Sequence, residues 1–228
     1  LRHPAAWGSM LVSLLLGAAL IAVMIQVPVY ARTALTGETQ LDAAVYLMRF
    51  LAGMPVGALL GGWAMRHRSP GAVAGLGMGV AAAGLAHVTT WGLGTIQGRT
   101  DDVVLLVTGL GFGLAIAPVN AALLATTEDA VHGVASALLV VARMVGMLVG
   151  ISALTAVGLR RYYAVTTDLP APGDVCTTGT QCAEYTLLLK EAGLAQLQTV
   201  FAGAAVCAAL AGVVALVTLR RAGTGAAR

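Results

Sequence analysis

One arginine lies in the middle of a long apolar stretch of the chain. Arg143 falls between His132 and Leu154, where nearly every other residue is alanine, glycine, valine, leucine or methionine. A guanidinium keeps its proton inside a protein, so at bilayer depth its charge costs about 2.5 kcal/mol or more. A carboxylate, a polar cavity or a bound substrate usually offsets such a cost. Arg143 is therefore the first residue that we assign to function.

The composition of the chain explains why that stretch is apolar. Hydrophobic residues make up 58% of the 228 residues and charged residues 10%, whereas a soluble domain has about 25% charged residues. The mean hydropathy is +0.87. The sequence therefore predicts an integral membrane protein, and we expect no nucleic acid among its partners.

Six segments are long and apolar enough to cross a bilayer, which takes about 20 residues in a helix. They are too long and too evenly apolar for the strands of a membrane barrel. The predicted fold is all-α, a single transmembrane domain over residues 1–228 with six transmembrane helices. The predicted spans are Trp7 to Tyr30, Ala43 to Met65, Gly71 to Thr90, Val103 to Thr127, Gly133 to Leu159, and Gln198 to Leu219.

Basic residues near the span ends set the expected orientation. The two sets of ends are nearly equal in Lys and Arg, but one set includes the compact turn Arg66-His67-Arg68 and the basic tail. We therefore expect both termini in the cytoplasm. The predicted cytoplasmic ends carry Arg2, Arg66, Arg68, Arg220, Arg221 and Arg228, and the outer ends carry Arg32, Arg99, Arg160, Arg161 and Lys190. Acidic residues such as Glu38, Asp42, Asp101, Asp102 and Asp174 fall outside.

Two cysteines lie in a polar loop before the last span. The expected orientation puts Cys176 and Cys182 on the oxidising side, where disulfides persist. We expect a bridge between them, with two free thiols as the alternative. Cys207 is interpreted as a small core residue. The four histidines are scattered, so the sequence predicts neither a metal site nor a cofactor.

Other polar side chains within or near the spans have two interpretations each. Arg49 either lines a pathway across the membrane, or pairs with Asp42 in the same helix or extends to the membrane surface. Gln26 and Asn120 either contribute to a pathway or only form hydrogen bonds between helices. His87 is interpreted as structural.

Small residues at regular spacing predict where helices pack closely. Glycines four residues apart leave one helix face flat, and a proline within a glycine-rich run favours a bend. No strand precedes these glycines, so they do not indicate a nucleotide site. They are Gly53, Gly57 and Gly61 in the second span, Gly109, Gly113 and Pro118 in the fourth, and Gly146 and Gly150 in the fifth.

Three segments carry a family resemblance. Gly53-Met-Pro55-Val-Gly57-Ala-Leu-Leu-Gly61-Gly62-Trp-Ala-Met-Arg66-His-Arg68 resembles the second helix and basic turn in one half of a major facilitator superfamily transporter, although this turn lacks the usual acidic residue. Gly109-x-Gly111-x-Gly113-x4-Pro118 resembles the fourth helix of that half. His132-Gly133-Val-Ala-Ser136-Ala137-x5-Arg143-Met144-x-Gly146-Met147-x2-Gly150 resembles the fifth helix of the C-terminal half in the drug-exporter branch. The nearest resemblance is to actinobacterial triacylglyceride and multidrug exporters that work with a periplasmic lipoprotein.

The resemblance implies a function and a location in the bacterial cytoplasmic (inner) membrane. The chain would be the C-terminal half of a secondary active transporter, with an N-terminal six-helix half on the same or a separate chain. It would export a lipid such as triacylglyceride, or lipophilic drugs, by alternating access. The resemblance also implies that Arg143 pairs with an acid of the other half. We expect transport to be coupled to protons. Because we find no Asp or Glu deep within the six predicted spans, the acid that binds the proton is expected in the N-terminal half as well.

Two other functions remain as alternatives. A six-helix membrane scaffold that does not transport is the first. A membrane enzyme is the second, and it is disfavoured because no metal set, nucleophile–base pair or phosphate loop is visible.

Residues 164–197 are predicted to form an extracytoplasmic loop with helix extensions. No proline occurs from Gly133 to Tyr163, and Glu184 to Leu219 is again compatible with a helix. Each helix would reach roughly 45 to 55 Å, whereas the hydrocarbon core is about 30 Å thick. In the resembling lipid exporters the corresponding pair is extended as well. A tilted helix followed by an ordinary loop is the alternative, with Arg160, Arg161, Tyr162 and Tyr163 as an interfacial anchor.

Overall fold

The computed structural model describes residues 4–34, 40–93, 99–176 and 182–219. This part of the chain forms helices and contains no strand, so the all-α prediction is confirmed. Six of the helices are long and apolar enough to cross a membrane. The elements are α1 (Pro4–Ala34), α2 (Gln40–Ala64), α3 (Pro70–Val88), α4 (Arg99–Leu124), a 3-10 turn (Asp129–Val131), α5 (His132–Thr167), the short α6 (Pro172–Val175) and α7 (Ala183–Thr218).

The helix ends differ from the predicted spans for local reasons. α1 begins at Pro4, because proline is well suited to the first turn of a helix. α4 begins at Arg99 rather than Val103, and its first turn carries Asp101 and Asp102, which suit the positive end of the helix dipole. α3 begins after Ser69, whose hydroxyl oxygen accepts a hydrogen bond from the Ala72 amide. The sequence did not predict α6.

Several residues used to orient the chain lie outside the described residues or have undescribed side chains. Arg2, Glu38, Arg220, Arg221 and Arg228 belong to the first group, and Arg32, Asp42, Arg99 and Asp174 to the second. The predicted orientation in the membrane therefore remains a prediction. We call the end where α1, α3 and α5 finish the distal end of the bundle, and the opposite end the proximal end.

The six long helices alternate in direction and pack around one core. α2 lies beside α4, α4 beside α3, α3 beside α7, α7 beside α1, and α1 beside α5. The largest fully buried side chains are aromatic, and they come from four helices and the α3–α4 connection: Tyr30, Phe50, Phe112, Phe201 and Trp91. The core is therefore continuous from α1 to α7.

Small residues determine how closely two pairs of parallel helices approach. Between α2 and α4, a Cβ at Gly57 would overlap the Leu110 carbonyl, and one at Gly61 would lie 2.7 Å from the Leu114 carbonyl oxygen. From the α4 side, Gly109 faces Phe50 in the same way. These helices touch backbone to backbone, which small residues permit.

The second parallel pair is α1 and α5. A Cβ at Gly146 would overlap the Leu14 carbonyl, and one at Gly150 would lie 2.5 Å from the Cα of Ala18. The α2–α4 pair has one more contact of this kind, because Gly113 of α4 faces the Met54 backbone of α2. After this contact, α4 continues through Pro118 to Leu124.

The two longest helices are α5 and α7, with 36 residues each. At about 1.5 Å per residue, each helix is about 54 Å long. The hydrocarbon core of a membrane is about 30 Å thick, so each helix is longer than the core is thick by roughly 20 Å or more. α5 continues to Thr167 and α7 starts at Ala183, both at the distal end. The chain between them contains α6 and a disulfide between Cys176 and Cys182, whose Cα atoms are 5.7 Å apart.

Candidate functional site

Arg143 lies on α5 where that helix crosses α1. Its carbonyl oxygen faces Gly17 so closely that a Cβ at Gly17 would overlap it. The side chain is half-buried, and its Nε is buried without a hydrogen-bond partner among the described residues. No carboxylate in that part of the chain lies within ion-pair distance of it. The described helices therefore leave the charge of Arg143 uncompensated.

The surface around Arg143 is apolar and exposed. α2 and α5 are the least buried of the long helices: 22% of the central apolar segment is buried in each, against 61% in α1. Val140 and Met144, next to Arg143 on α5, are 47% and 53% exposed. Other large side chains that are more than half exposed include Val134, Val141, Leu148 and Val149 on α5, and Met48, Val56, Leu59 and Trp63 on α2. Arg143 is thus a cation within a broad apolar face.

Arg49 has a partner within the described helices. Its guanidinium forms an ion pair with Asp102 of α4, and it also lies over the ring of Tyr46, 5.2 Å from the centroid. Arg49 and Asp102 are about one-third exposed. The sequence suggested Asp42 as partner, whose side chain is not among those described, and it missed Asp102. The two residues are 53 positions apart, and only the packing of α2 on α4 brings them together.

Gln26 and Asn120 have different surroundings. The Asn120 amide donates a hydrogen bond to the Ile116 carbonyl oxygen of its own helix, at 3.0 Å. Gln26 is buried, and it lines an open cleft of about 750 Å³ between α1, α5 and α7. Ser152, Thr155 and Gln196 supply the other polar groups of this cleft. The lining is uncharged and mostly apolar.

A polar network at the distal end was not predicted from the sequence. The Tyr30 hydroxyl donates to the Gly92 carbonyl oxygen, and Nε2 of Gln198 donates to the Trp91 carbonyl oxygen at 2.8 Å. The rings of Tyr30 and Trp91 are in tilted contact, 5.5 Å between centroids. Trp91 and Asp101 are both buried at this end of the bundle, and His87 lies in the last turn of α3. We call these five residues, Tyr30, His87, Trp91, Asp101 and Gln198, the distal network.

The distal network had only a weak signal in the sequence. Its members lie on α1, α3, α4, α7 and the segment after α3, so no local spacing connects them. The available signal was the pair of adjacent acids, Asp101 and Asp102, next to an apolar span. The sequence interpretation placed both outside the membrane-spanning region, whereas the structure buries Asp101 in the first turn of α4.

No cluster of three or more potential metal ligands occurs among the described residues. His132 lies near Asp129, 3.5 Å away, but this contact joins neighbouring turns of the chain. The described part of the molecule therefore offers an uncompensated cation, an uncharged cleft and a buried carboxylate as its chemically distinctive features.

Comparisons with known proteins find relatives that are named triacylglyceride transporters. No protein-family model matches the chain. A triacylglyceride transporter of Mycolicibacterium hassiacum is 39% identical over 180 residues, which are 73% of this chain and 34% of the relative. Triacylglyceride transporters of Mycolicibacterium smegmatis and Mycobacterium tuberculosis are each 38% identical, over 71% and 68% of this chain and 31% and 32% of their own lengths. The chain thus spans about a third of the curated relatives that it matches.

Proposed function

We propose that this chain is the C-terminal six-helix half of a major facilitator transporter that exports hydrophobic substrates. The substrate class is a lipid such as triacylglyceride, or lipophilic drugs. The six apolar helices and the relatives named triacylglyceride transporters support a role in moving lipid. That the chain matches only a third of these relatives supports a role as part of a larger transporter. The proposed location is the bacterial cytoplasmic (inner) membrane, with both termini in the cytoplasm.

The observation that carries this proposal is the state of Arg143. A buried guanidinium nitrogen without a partner, on an apolar helix face, is costly in a membrane. A carboxylate from an N-terminal six-helix half, on the same or a separate chain, would remove that cost. We propose that this ion pair breaks and re-forms during the transport cycle.

The exposed faces of α2 and α5 are the proposed contact with that other half. They are apolar and poorly covered by the other helices of the chain. Substrate would pass between the two halves, which rock around the site to give alternating access. Gln26 and Asn120 belong to the proposed pathway, and the uncharged cleft around Gln26 suits a neutral lipid better than a charged one. Arg49 would lie at the distal end of this pathway, paired with Asp102.

The distal extensions of α5 and α7 fit the export of a lipid out of the membrane. Residues 164–197 form the proposed extracytoplasmic loop with helix extensions, held by the Cys176–Cys182 bridge. A helix pair longer than the membrane is thick would carry a lipid toward an acceptor outside it. The proposed acceptor is a periplasmic lipoprotein.

The experiment compares transport by three preparations in liposomes. Fluorescent triacylglyceride or a lipophilic dye is loaded, and counterflow is measured for the chain alone, for the chain with an N-terminal half, and for that complex with Arg143→Ala. We expect counterflow only from the unsubstituted complex. Arg161→Ala is the matched control, because Arg161 is exposed and lies on the same helix, and it should retain counterflow.

Two outcomes would contradict the proposal. Normal counterflow by Arg143→Ala would remove the ion pair from the mechanism. A complex that assembles stably, with neither counterflow nor export in cells, would support the six-helix scaffold instead. Amounts of protein in the membrane are measured in parallel, so that loss of the protein is not mistaken for loss of transport.

A further inference from the structure

The cleft between α1, α5 and α7 opens where α5 passes from one neighbouring helix to the other. At Gly150, α5 packs so closely on α1 that an added Cβ would lie 2.5 Å from the Cα of Ala18. At Gly158, α5 packs on α7 instead, and an added Cβ would lie 2.6 Å from a methyl group of Val200. The residues of α5 that line the cleft fall between these two glycines. Two close contacts therefore fix the position of α5 on either side of the cleft.

Three side chains in the lining have polar groups that are free to bind a ligand. Gln26 is only 7% exposed, and its amide has no hydrogen-bond partner among the described residues. Within the same part of the chain, the Gln196 amide and the Thr155 hydroxyl have none either. The Ser152 hydroxyl, by contrast, donates to the Leu148 carbonyl oxygen at 3.0 Å. Because a buried amide without a partner is costly, the cleft presents unused donors to the molecule that occupies it.

The rest of the lining indicates the chemistry of that molecule. No charged side chain lines the cleft among the described residues, so a phosphate or a carboxylate would enter without a counter-charge, at a high cost. Amide and hydroxyl donors bind carbonyl oxygens without that cost. Ile25, Val29 and Ile151 add an apolar wall suited to hydrocarbon. The complementary ligand is therefore neutral and has carbonyl groups next to acyl chains.

The depth of the cleft fits the same ligand. Gln26 and Thr155 lie about one helical turn before Tyr30 and Leu159, where the predicted spans end. Thr155 is also about three turns distal to Arg143 on α5. The ester groups of a glycerolipid lie at the edge of the hydrocarbon core, where the polar interfacial region of the bilayer begins. The cleft is therefore at the level at which such esters are found.

We propose that this cleft binds the glycerol esters of a neutral lipid. The amides of Gln26 and Gln196 and the hydroxyl of Thr155 donate hydrogen bonds to the ester carbonyl oxygens, and the acyl chains lie against the apolar wall. This inference rests on the proposed function, because it places one part of the proposed substrate in the cleft.

The test measures binding to the protein that carries this chain, held in nanodiscs of ether-linked phospholipid so that the bilayer supplies no ester carbonyl. Radiolabelled triolein is displaced either by unlabelled triolein or by glyceryl trioleyl ether, which has the same chains and no carbonyl group. We expect the ether to bind about 10-fold more weakly than the ester, since each lost hydrogen bond weakens binding about 2- to 10-fold.

The variants separate a hydrogen bond from a structural role. Gln26→Met should weaken binding of the ester about 2- to 10-fold and leave binding of the ether unchanged. Thr155→Val should act in the same direction. Thr199→Val is the matched control, because the Thr199 hydroxyl donates to the Ala195 carbonyl oxygen of its own helix and lies outside the cleft lining. It should change neither affinity.

Three results would overturn the proposal. The unsubstituted protein could bind ester and ether equally, or Gln26→Met could weaken both ligands alike, which would make its role structural. Dioleoylphosphatidylcholine could displace triolein as well as triolein itself does, which would refute a neutral ligand. If Gln26→Met does not fold, Gln196→Met decides by the same ratio of ester to ether affinity.

Failure of this site and failure of the proposed function are distinguishable. An ester preference in a protein that shows no counterflow would refute the transport proposal alone. Counterflow by a protein that shows no ester preference would refute the cleft site alone.

Discussion

Replacing Gly57 by alanine tests whether the backbone contact between α2 and α4 holds the bundle together. The added Cβ would overlap the Leu110 carbonyl oxygen and lie 2.8 Å from its carbon. Backbone atoms cannot rotate away as a side chain can, so α2 has to retreat from α4. Gly62, on the same helix, has no atom within 4 Å of its added Cβ. Gly62→Ala is therefore a matched control for the same chemical change.

The size of the effect follows from this comparison. Alanine favours a helix over glycine by about 1 kcal/mol, and both variants gain this term. Overpacking a tight contact costs about 1 to 3 kcal/mol, and only Gly57→Ala has that cost. The difference between the variants is therefore about 1 to 3 kcal/mol. In a chain of this size it corresponds to about 2 to 4 °C in melting temperature for each kcal/mol.

The assay is thermal unfolding of each purified variant in one detergent, followed by size-exclusion chromatography of the protein that remains monodisperse. Gly57→Ala should melt below Gly62→Ala and at or below the unsubstituted protein, and Gly62→Ala should melt at or above the unsubstituted protein. Equal melting temperatures for the two variants would refute the reasoning, because they would mean that α2 and α4 do not pack backbone to backbone.

Three further predictions concern charge, the bridge and the pathway. Asp102→Asn and Arg49→Gln should each lower the melting temperature. In a double-mutant cycle, the decrease for the double variant should be smaller than the sum of the two single decreases; additive decreases would contradict the ion pair. In intact cells, maleimide should label Cys176 and Cys182 only after reduction; labelling without reductant would contradict the bridge, and labelling only after permeabilisation would reverse the expected orientation. Arg143→Lys should transport more slowly than the unsubstituted protein but faster than Arg143→Ala, because an ammonium keeps the charge but lacks the planar geometry of a guanidinium. A rate equal to that of the unsubstituted protein would show that charge alone suffices.

The sequence predicted the helices well because membrane spans follow from hydrophobicity alone. About 20 apolar residues suffice to identify a span, and each predicted span overlaps one of the six long helices, although the second, third, fourth and sixth were predicted to end slightly beyond the helix. The ends were harder, because polar first turns such as Arg-Thr-Asp-Asp at residues 99–102 are equally compatible with a loop. The last span was predicted from Gln198 with a helix-compatible extension from Glu184 before it, and α7 begins at Ala183. An amphipathic extension lacks the hydrophobicity that marks a span.

The contacts between distant residues could not be predicted in the same way. Gln198 and the Trp91 carbonyl oxygen are 107 positions apart, and Tyr30 and Gly92 are 62 apart. Neither distance follows from helical spacing. Such contacts depend on which helices are neighbours, and a single sequence does not fix that order. The glycine spacings indicated that close packing occurs, but they did not say that α2 packs on α4 and α1 on α5.

The two arginines within the spans differ in whether the described part of this chain supplies a charged partner. Arg49 and Asp102 are both supplied by this chain, so their ion pair is made whenever α2 packs on α4. Breaking this ion pair should cost more than an exposed pair, for which the cost is about 1 kcal/mol. It should cost less than a fully buried pair, for which the cost is about 3 to 5 kcal/mol. Arg143 has no such partner among the described residues. Its removal should therefore leave the melting temperature of the isolated chain unchanged or higher, whereas removal of Arg49 should lower it. If Arg143 acts only as a structural brace, its removal will lower the melting temperature as well, and the same unfolding assay separates the two cases.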